Sequence, residues 1–353
     1  MEALALPPPH QSVRIAIGDA SAVGEARRIA SAMASQLGFD QNQAGKLALV
    51  ATEAGTNIVH HAGPSGDGAI LLRALKDGEH SGIELLAIDR GVGMTNVAKC
   101  LVDGYSTKGS SGAGLGSIQR MADVFDLYST TDGGTILLAE LWHESGAAPL
   151  RRELWSGAVC VPLEGEIICG DGFALAIQPE EQRASALIVD GLGHGQGAAD
   201  ATFAAIRTFH SHAAASPHAI VERMHDALRS TRGAAVGVVE LSWASGQLRF
   251  VGVGNCVGMI LGGAQTQSLA SYNGIVGARL PRLHEFNYPW PEQGLLLLHS
   301  DGASARWNLE AYPGLHRRHP SVIAAAIYRD FSRRRDDVTV MALKPGGAYV
   351  PSF

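Results

Sequence analysis

At 353 residues the chain is longer than one compact core usually supports, which is roughly 100–150 residues, so two domains are expected. With 46% hydrophobic and 18% charged residues it can bury sizeable cores, which excludes a largely disordered protein. The formal net charge of -6 offers no concentrated basic face, which excludes nucleic acid as a partner.

Cys100, Cys160, Cys169 and Cys256 lie far apart, with neither zinc-site spacing nor the density of a disulfide scaffold, and read as reduced thiols. The N-terminus lacks a signal pattern, and no apolar run approaches the roughly 20 residues of a membrane span. A cytoplasmic protein without a membrane partner is expected.

Residues 1–10 end in Pro7, Pro8, Pro9 and His10 and read as a disordered, extended tail. Helical periodicity follows over 20–37 and again over 40–62, and apolar strands over 69–75, 83–89 and 135–141, with a helix over 115–123. The stretch 144–155 carries Gly, Pro and charge without periodicity, which makes it the linker. Beyond it, strands are expected at 157–162, 173–178, 184–190, 234–242, 247–254, 257–262, 294–300 and 337–343, with helices within 196–230 and 319–333. Runs of strands with helices grouped between them predict layered sheets flanked by helices. Residues 347–353 read as a C-terminal tail.

Glu53 and Asn57 are four apart on the second helix, so both side chains leave one face and offer two hard oxygen ligands suited to magnesium. A strand then delivers Asp89 into Arg90-Gly91-Val92-Gly93: the carboxylate can accept from an exocyclic amine, and the glycines let backbone approach a flat base. The Gly-rich run from Asp103 to Gly116 precedes a helix and carries Lys108, the arrangement of a phosphate-cradling loop. It is neither a dinucleotide fingerprint, since no strand feeds it directly, nor a Walker A loop, since G-x-x-x-x-G-K-[ST] does not occur.

Taken in order, Glu53 and Asn57, Asp89-x-Gly91-x-Gly93, Gly112-x-Gly114-x-Gly116 and Gly133-Gly134-Thr135 resemble the GHKL-type ATPase fold of gyrase, Hsp90-type chaperones, histidine kinases and anti-sigma-factor kinases. The stretch from Asp103 to Asp123 is most similar to the small switch serine kinases of stress responses. The resemblance covers 11–143. It implies an α/β sandwich with a mixed sheet and helices on one face, and binding of ATP with Mg2+. By the same resemblance Glu53 acts as base or water positioner, Asn57 holds magnesium, Asp89 with Thr135 binds adenine, and Gly112, Gly114 and Gly116 close over the phosphates, to which Lys108 of the same loop adds a cation. No acceptor histidine lies on a helical hairpin upstream of Glu53, which argues against a histidine kinase.

In the second half, aspartates recur beside Gly or Asp at strand ends: Asp171-Gly172, Asp190-Gly191, Asp301-Gly302 and Asp336-Asp337. Each alone is an ordinary turn signal. Brought together from remote strands, they form an acidic cluster that needs cations, and hard oxygens select magnesium or manganese. Two such ions activate water against a phosphoryl group.

The segments C-G-D-G-F, V-D-G-L-G-H-G, L-H-S-D-G and R-D-D-V-T-V resemble the SpoIIE-like branch of the PPM serine/threonine phosphatases. That resemblance implies an α-β-β-α sandwich over 156–346 and an α+β protein as a whole. It also implies two Mn2+ or Mg2+ ions held by Asp171, Asp190, the Gly191 carbonyl, Asp301 and Asp336. Read from the residues themselves, Asp337 would orient ligands, and His194, in its Gly-rich loop, is either a general acid or merely exposed. The two resemblances together imply a bifunctional switch that phosphorylates and dephosphorylates Ser/Thr, with a STAS-type antagonist or scaffold protein as substrate. A sigma factor or a downstream phosphatase would be a further partner. Two alternatives stand beside it: a phosphatase whose ATP-binding half only senses or docks, and an anti-sigma factor that sequesters a sigma subunit.

Overall fold

The structure, a computed structural model, describes residues 7–62, 67–102, 114–144, 151–262 and 266–348. The chain forms two compact units. The first comprises Met1–Arg151, Pro313–Arg329 and Ala348–Phe353, and the second Arg152–Tyr312 and Asp330–Gly347. The first unit therefore takes a segment from deep within the second half, where a contiguous 156–346 domain was expected.

In the first unit, strand β1 (Val13–Ala16) leads into helix α1 (Ala20–Gln36), whose first turn is capped by the Asp19 carboxylate accepting from Ser21 and Ala22 N–H. Helix α2 (Gln41–His61) is capped in the same way by Asp40, which accepts from Gln43 N–H. Strands β2 (Gly68–Asp77) and β3 (His80–Asp89) form a hairpin, followed by the short helix α3 (Val97–Cys100) and by α4 (Gly114–Met121). Strands β4 (Val124–Ser129) and β5 (Thr135–Trp142) complete a sheet in the order β1-β2-β3-β5-β4.

Its pairings are all antiparallel where a mixed sheet was expected, because β1 and β4 join as edge strands running against β2 and β5. Ala26, Ala30 and Met33 of α1 and Leu47, Val50, Ala54 and Ile58 of α2 fall at helical spacing and bury against Ile70, Leu72, Leu85, Leu127 and Leu137. Each such aliphatic side chain removed from water contributes about 1.5–3 kcal/mol. This packing holds α2 over one face of the sheet and directs its Glu53/Asn57 side toward the end of β3.

The N-terminal tail is shorter than expected. His10 is only 9% exposed and Ser12 1%, and Gln11 N–H donates to the Pro8 carbonyl. An imidazole brought into the core this way leaves water, and the chain before β1 is fixed with it.

The second unit opens with β6 (Arg151–Val161), so the strand begins inside the expected linker. β7 (Asp171–Gln178) and β8 (Arg183–Gly191) form a hairpin, then come α5 (Gln196–His212) and α6 (Pro217–Leu228). The remaining strands are β9 (Ala234–Ser242), β10 (Gln247–Val253), β11 (Val257–Leu261), β12 (Gln267–Ser268), β13 (Ser271–Tyr272), β14 (Phe286–Pro289), β15 (Leu295–His299) and β16 (Val338–Ala348). β16 reaches Ala348, into the segment expected as a tail.

One sheet runs β13-β10-β9-β8-β7 with β14 on β10, the other β12-β11-β15-β16-β6. Ile188, Val239 and Phe250 of the first face Ile260, Leu296, Leu298 and Met341 of the second in a shared core. Helices α5 and α6 cover the far side of the first sheet through Ala205, Phe209, Ile220 and Met224. The last helix, α7 (Pro320–Phe331), lies with the first unit as far as Arg329.

Candidate functional site

In the first unit Asp89 ends β3 opposite Thr135, the first residue of β5. The chain then turns away: Asp89 Oδ1 accepts from Gly91 N–H at 2.7 Å. Burial raises the Asp89 carboxyl above the usual range, partly offset by that N–H, by the Arg329 guanidinium and by a backbone donor at Thr135.

Three glycines here are demanded by space. A Cβ on Gly91 would lie 2.0 Å from the His61 carbonyl, one on Gly93 1.9 Å from that of Thr130, and one on Gly134 2.1 Å from that of Asp89. Gly93 and Gly134 also hold φ of 66° and 70°, where side chains are strained. Ser129 knits the turns together, its hydroxyl donating to the Gly134 carbonyl at 2.8 Å and accepting from Met94 N–H at 2.9 Å.

Glu53 and Asn57 lie beneath the start of α4: a Cβ on Gly114 would stand 2.9 Å from Glu53 Oε2 and 3.8 Å from Asn57 Oδ1. The α4 N-terminus, with its unsatisfied N–H groups, thus adjoins the acid and the amide, as an anion-binding pocket requires. Asn57 Nδ2 is buried without a hydrogen-bond acceptor among the described residues. Gly116 is buried within α4, while Lys108 and Gly112 lie outside the described residues.

The second unit gathers carboxylates at one end of its two sheets. Asp171 begins β7 and pairs directly with Asp190 near the end of β8. Asp301 follows β15 of the other sheet, and Asp336 and Asp337 precede β16. Asp171 is 3% exposed, and its Oδ2 has no hydrogen-bond partner among the described residues.

Burial, and then the Asp190 charge, push the Asp171 carboxyl well above its ordinary range. Burial, then Asp301, Asp336 and Asp337, push Asp190 up to about 7, although Asp301 N–H donates to it. Asp337 is a brace: its two oxygens accept from Leu163 N–H at 2.7 Å and Gly170 N–H at 2.8 Å, tying the loop before β7 to the start of β16. Asn255 Nδ2 donates to Asp301 Oδ2 at 2.5 Å.

Among the described residues no group of three or more His, Cys, Asp or Glu side chains is placed to hold a metal ion as it stands; the carboxylates repel one another through space. Buried like charges and an orphaned acceptor make a donor set that fits hard divalent cations. Asp171, Asp190, the Gly191 carbonyl, Asp301 and Asp336 are the oxygens available to them. Gly191 is pressed on the first turn of α5, where a Cβ would lie 2.3 Å from the Ala198 carbonyl.

His194 stands in the loop between β8 and α5, its Nδ1 2.7 Å from Glu166 Oε1, with 57% of its side chain exposed. Sequence reasoning missed Glu166, which lies 28 residues upstream of its partner. It also missed Arg232, whose guanidinium fills the space at Gly193 of that loop and at Gly197 in the first turn of α5: a Cβ on Gly197 would lie 2.6 Å from Arg232 Nε and one on Gly193 3.1 Å from its terminal nitrogen. The signal was the pair of glycines flanking His194, which leave room for a large neighbour. Arg151 and Arg152, weighed as phosphate ligands, lie on β6.

Residues 18–140 match the family described as Histidine kinase-like ATPase domain, and residues 180–345 that of Stage II sporulation protein E (SpoIIE). Serine/threonine-protein kinase RsbT of Bacillus subtilis (strain 168) is 32% identical over 117 residues, 33% of this chain and 86% of that protein. The chain belongs to the histidine kinase-like ATPase family. Joined to that ATPase domain is a SpoIIE-type PPM serine/threonine phosphatase domain. Phosphoserine phosphatase RsbX of the same organism is 24% identical over 141 residues, 39% of this chain and 69% of that protein. A solved structure described as "The bacterial stressosome: a modular system that has been adapted to control secondary messenger signaling" aligns with TM-score 0.52 and 29% identity over 55% of this chain and 100% of that chain. No helix among the described residues is long and apolar enough to cross a membrane.

Proposed function

We propose that the chain is a bifunctional cytoplasmic switch. The ATPase domain phosphorylates a Ser or Thr of a STAS-type partner at the expense of ATP, and the SpoIIE-type domain removes phosphate from phosphoserine or phosphothreonine. The observation that carries the hydrolase half is the buried Asp171 facing the half-buried Asp190, which Asp301 and Asp336 crowd, with one Asp171 oxygen lacking a hydrogen-bond partner among the described residues. Two divalent ions, Mn2+ or Mg2+, when bound supply charge neutralisation and lower the pKa of water between them.

The chain's own residues do the rest. Asp171, Asp190, the Gly191 carbonyl, Asp301 and Asp336 would hold the ions; Asn255 fixes the direction of Asp301, and Asp337 ties the loop before β7 to the start of β16. His194, oriented through Nδ1 by Glu166, presents Nε2 to protonate a departing serine oxygen. In the ATPase domain Asp89 and Thr135 take the adenine amine, Asn57 a magnesium ion, and Glu53 the proton of the attacking hydroxyl. Gly114, Gly116, Gly112 and Lys108 serve the phosphates.

The similarity to RsbT and RsbX, whose names carry opposed activities, supports placing both on one polypeptide. The test is transfer of labelled γ-phosphate to purified STAS-domain proteins, followed by release on adding manganese. Transfer by wild type and by Asp190→Ala, lost in Glu53→Ala, with release lost only in Asp190→Ala, is the expected pattern. Absence of transfer from wild type, with phosphatase turnover intact, removes the kinase half and leaves a nucleotide-sensing phosphatase.

A further inference from the structure

The segment Pro313–Arg329, which the chain returns to the first unit from between Asp301 and Asp336, is anchored along the face of the β-sheet that bears acids. Glu84 and Glu140 stand directly opposite each other on β3 and β5, and Asp126 lies on β4, all three at most 3% exposed. Like charges opposed on a sheet are destabilising unless something answers them. Arg73 on β2 pairs with Glu84 at 2.8 Å. The returning segment supplies the remainder: His319 N–H donates to Asp126 Oδ2 at 2.6 Å, Arg318 reaches Asp126 Oδ1 at 3.4 Å, and the Ser321 hydroxyl donates to Glu84 Oε2 at 2.5 Å.

From Ser321 the helix rises about 1.5 Å per residue, so eight steps carry it roughly 12 Å along the sheet to Arg329. There Arg329, 8% exposed, donates from a terminal nitrogen to the Asp89 backbone carbonyl at 3.0 Å, while Arg90 reaches back to the Arg329 carbonyl. The guanidinium is thus fixed at the strand end that carries the adenine-binding carboxylate. It cannot touch chemistry on the phosphates; it can hold Asp89 in place and keep it charged.

We infer that Arg329 is a positioning residue of the nucleotide pocket, so that affinity for ATP depends on a helix drawn from within the phosphatase half of the sequence. The inference rests on Asp89 being the adenine acceptor. Among the described residues, charged or titratable neighbours at this strand end include Arg90, paired with Asp67 at 3.5 Å, and the half-buried His61, whose carbonyl faces Gly91. Burial already works against ionisation of Asp89, and Arg329 works for it. Without the guanidinium the acceptor is protonated more readily, and a neutral carboxyl accepts from the adenine amine more weakly than the carboxylate does.

The test is calorimetric titration of the full chain with Mg-ATP from pH 6 to pH 8. Arg329→Met is expected to weaken binding about tenfold at pH 8 and more at pH 6, with Arg329→Lys recovering most of the loss. Ser321→Ala, which loosens the other end of the same helix, is expected to lower the melting temperature yet leave affinity and its pH profile as in wild type. Wild-type affinity in Arg329→Met at every pH overturns the inference, as does an equal loss at all pH values that lysine does not relieve. Wild type that binds no Mg-ATP, or binds it as well after Asp89→Asn, overturns the pocket assignment itself and the role of Arg329 with it.

Discussion

Asp171 and Asp190 face each other across the β7–β8 ladder, and both carboxyls are pushed up chiefly by burial, with other carboxylates adding to it. Two such groups are costly without cations. Asp171→Asn is therefore expected to abolish turnover of phosphoserine peptides by at least about 100-fold. It should also raise the stability of the chelator-treated protein by about 1–2 kcal/mol, because a buried charge becomes a neutral amide. Melting with and without manganese checks this: the stabilisation by manganese seen in wild type should vanish in the variant.

The proposed role of His194 as general acid, held by its 2.7 Å contact with Glu166, allows leaving-group chemistry to be tested apart from metal chemistry. His194→Asn should lower kcat on a phosphoserine peptide by about 10–100-fold. The same variant should change little on p-nitrophenyl phosphate, whose leaving group needs no proton. Glu166→Gln should give a smaller loss with the same substrate dependence, and equal losses on both substrates would show that the histidine acts otherwise.

Gly134→Ala puts a methyl 2.1 Å from the Asp89 carbonyl at a φ of 70°. Strain of about 1–2 kcal/mol plus a backbone clash should displace the Asp89–Thr135 corner. Loss of ATP binding with manganese-dependent phosphatase activity retained is the expected outcome, read by titration and by peptide turnover.

His10 is buried, and burial followed by the Arg73 charge lowers its pKa to about 4. An unfolded chain binds a proton on His10 below about pH 6.5, whereas the folded chain does so only near pH 4, so folding loses stability as pH falls through that window. The loss attributable to His10 amounts to at most about 3 kcal/mol. Urea melts between pH 4 and pH 8 should show a shallower acid decline in His10→Asn than in wild type.

Much of the architecture was legible because it rests on local pattern. The 3.6-residue spacing of Leu47, Val50, Ala54 and Ile58 marks α2, and the continuous apolar runs mark β3, β8 and β15. Asp171, Asp190, Asp301 and Asp336 each announce themselves by a following Gly or Asp at a strand end. What local pattern hides is partnership at a distance. Glu166 and His194, Asn255 and Asp301, and Arg329 and Asp89 are joined by the fold alone. His10 was misread because prolines signal an extended chain but say nothing of what packs over the residue behind them. α7 reads as an ordinary amphipathic helix, and its grouping with the first unit depends on Glu84, Asp126 and Glu140, acids that pattern alone assigns to solvent.

The return of Pro313–Arg329 to the first unit also bears on how this gene could be cut. A break in the connector after Trp142 would yield a front piece missing the strip that answers buried Asp126 and Glu84, and such a piece should precipitate or stay unfolded when produced alone. Opposed enzymes carried on separate chains can drift in abundance, one outpacing the other. Here synthesis delivers the two domains in fixed one-to-one supply.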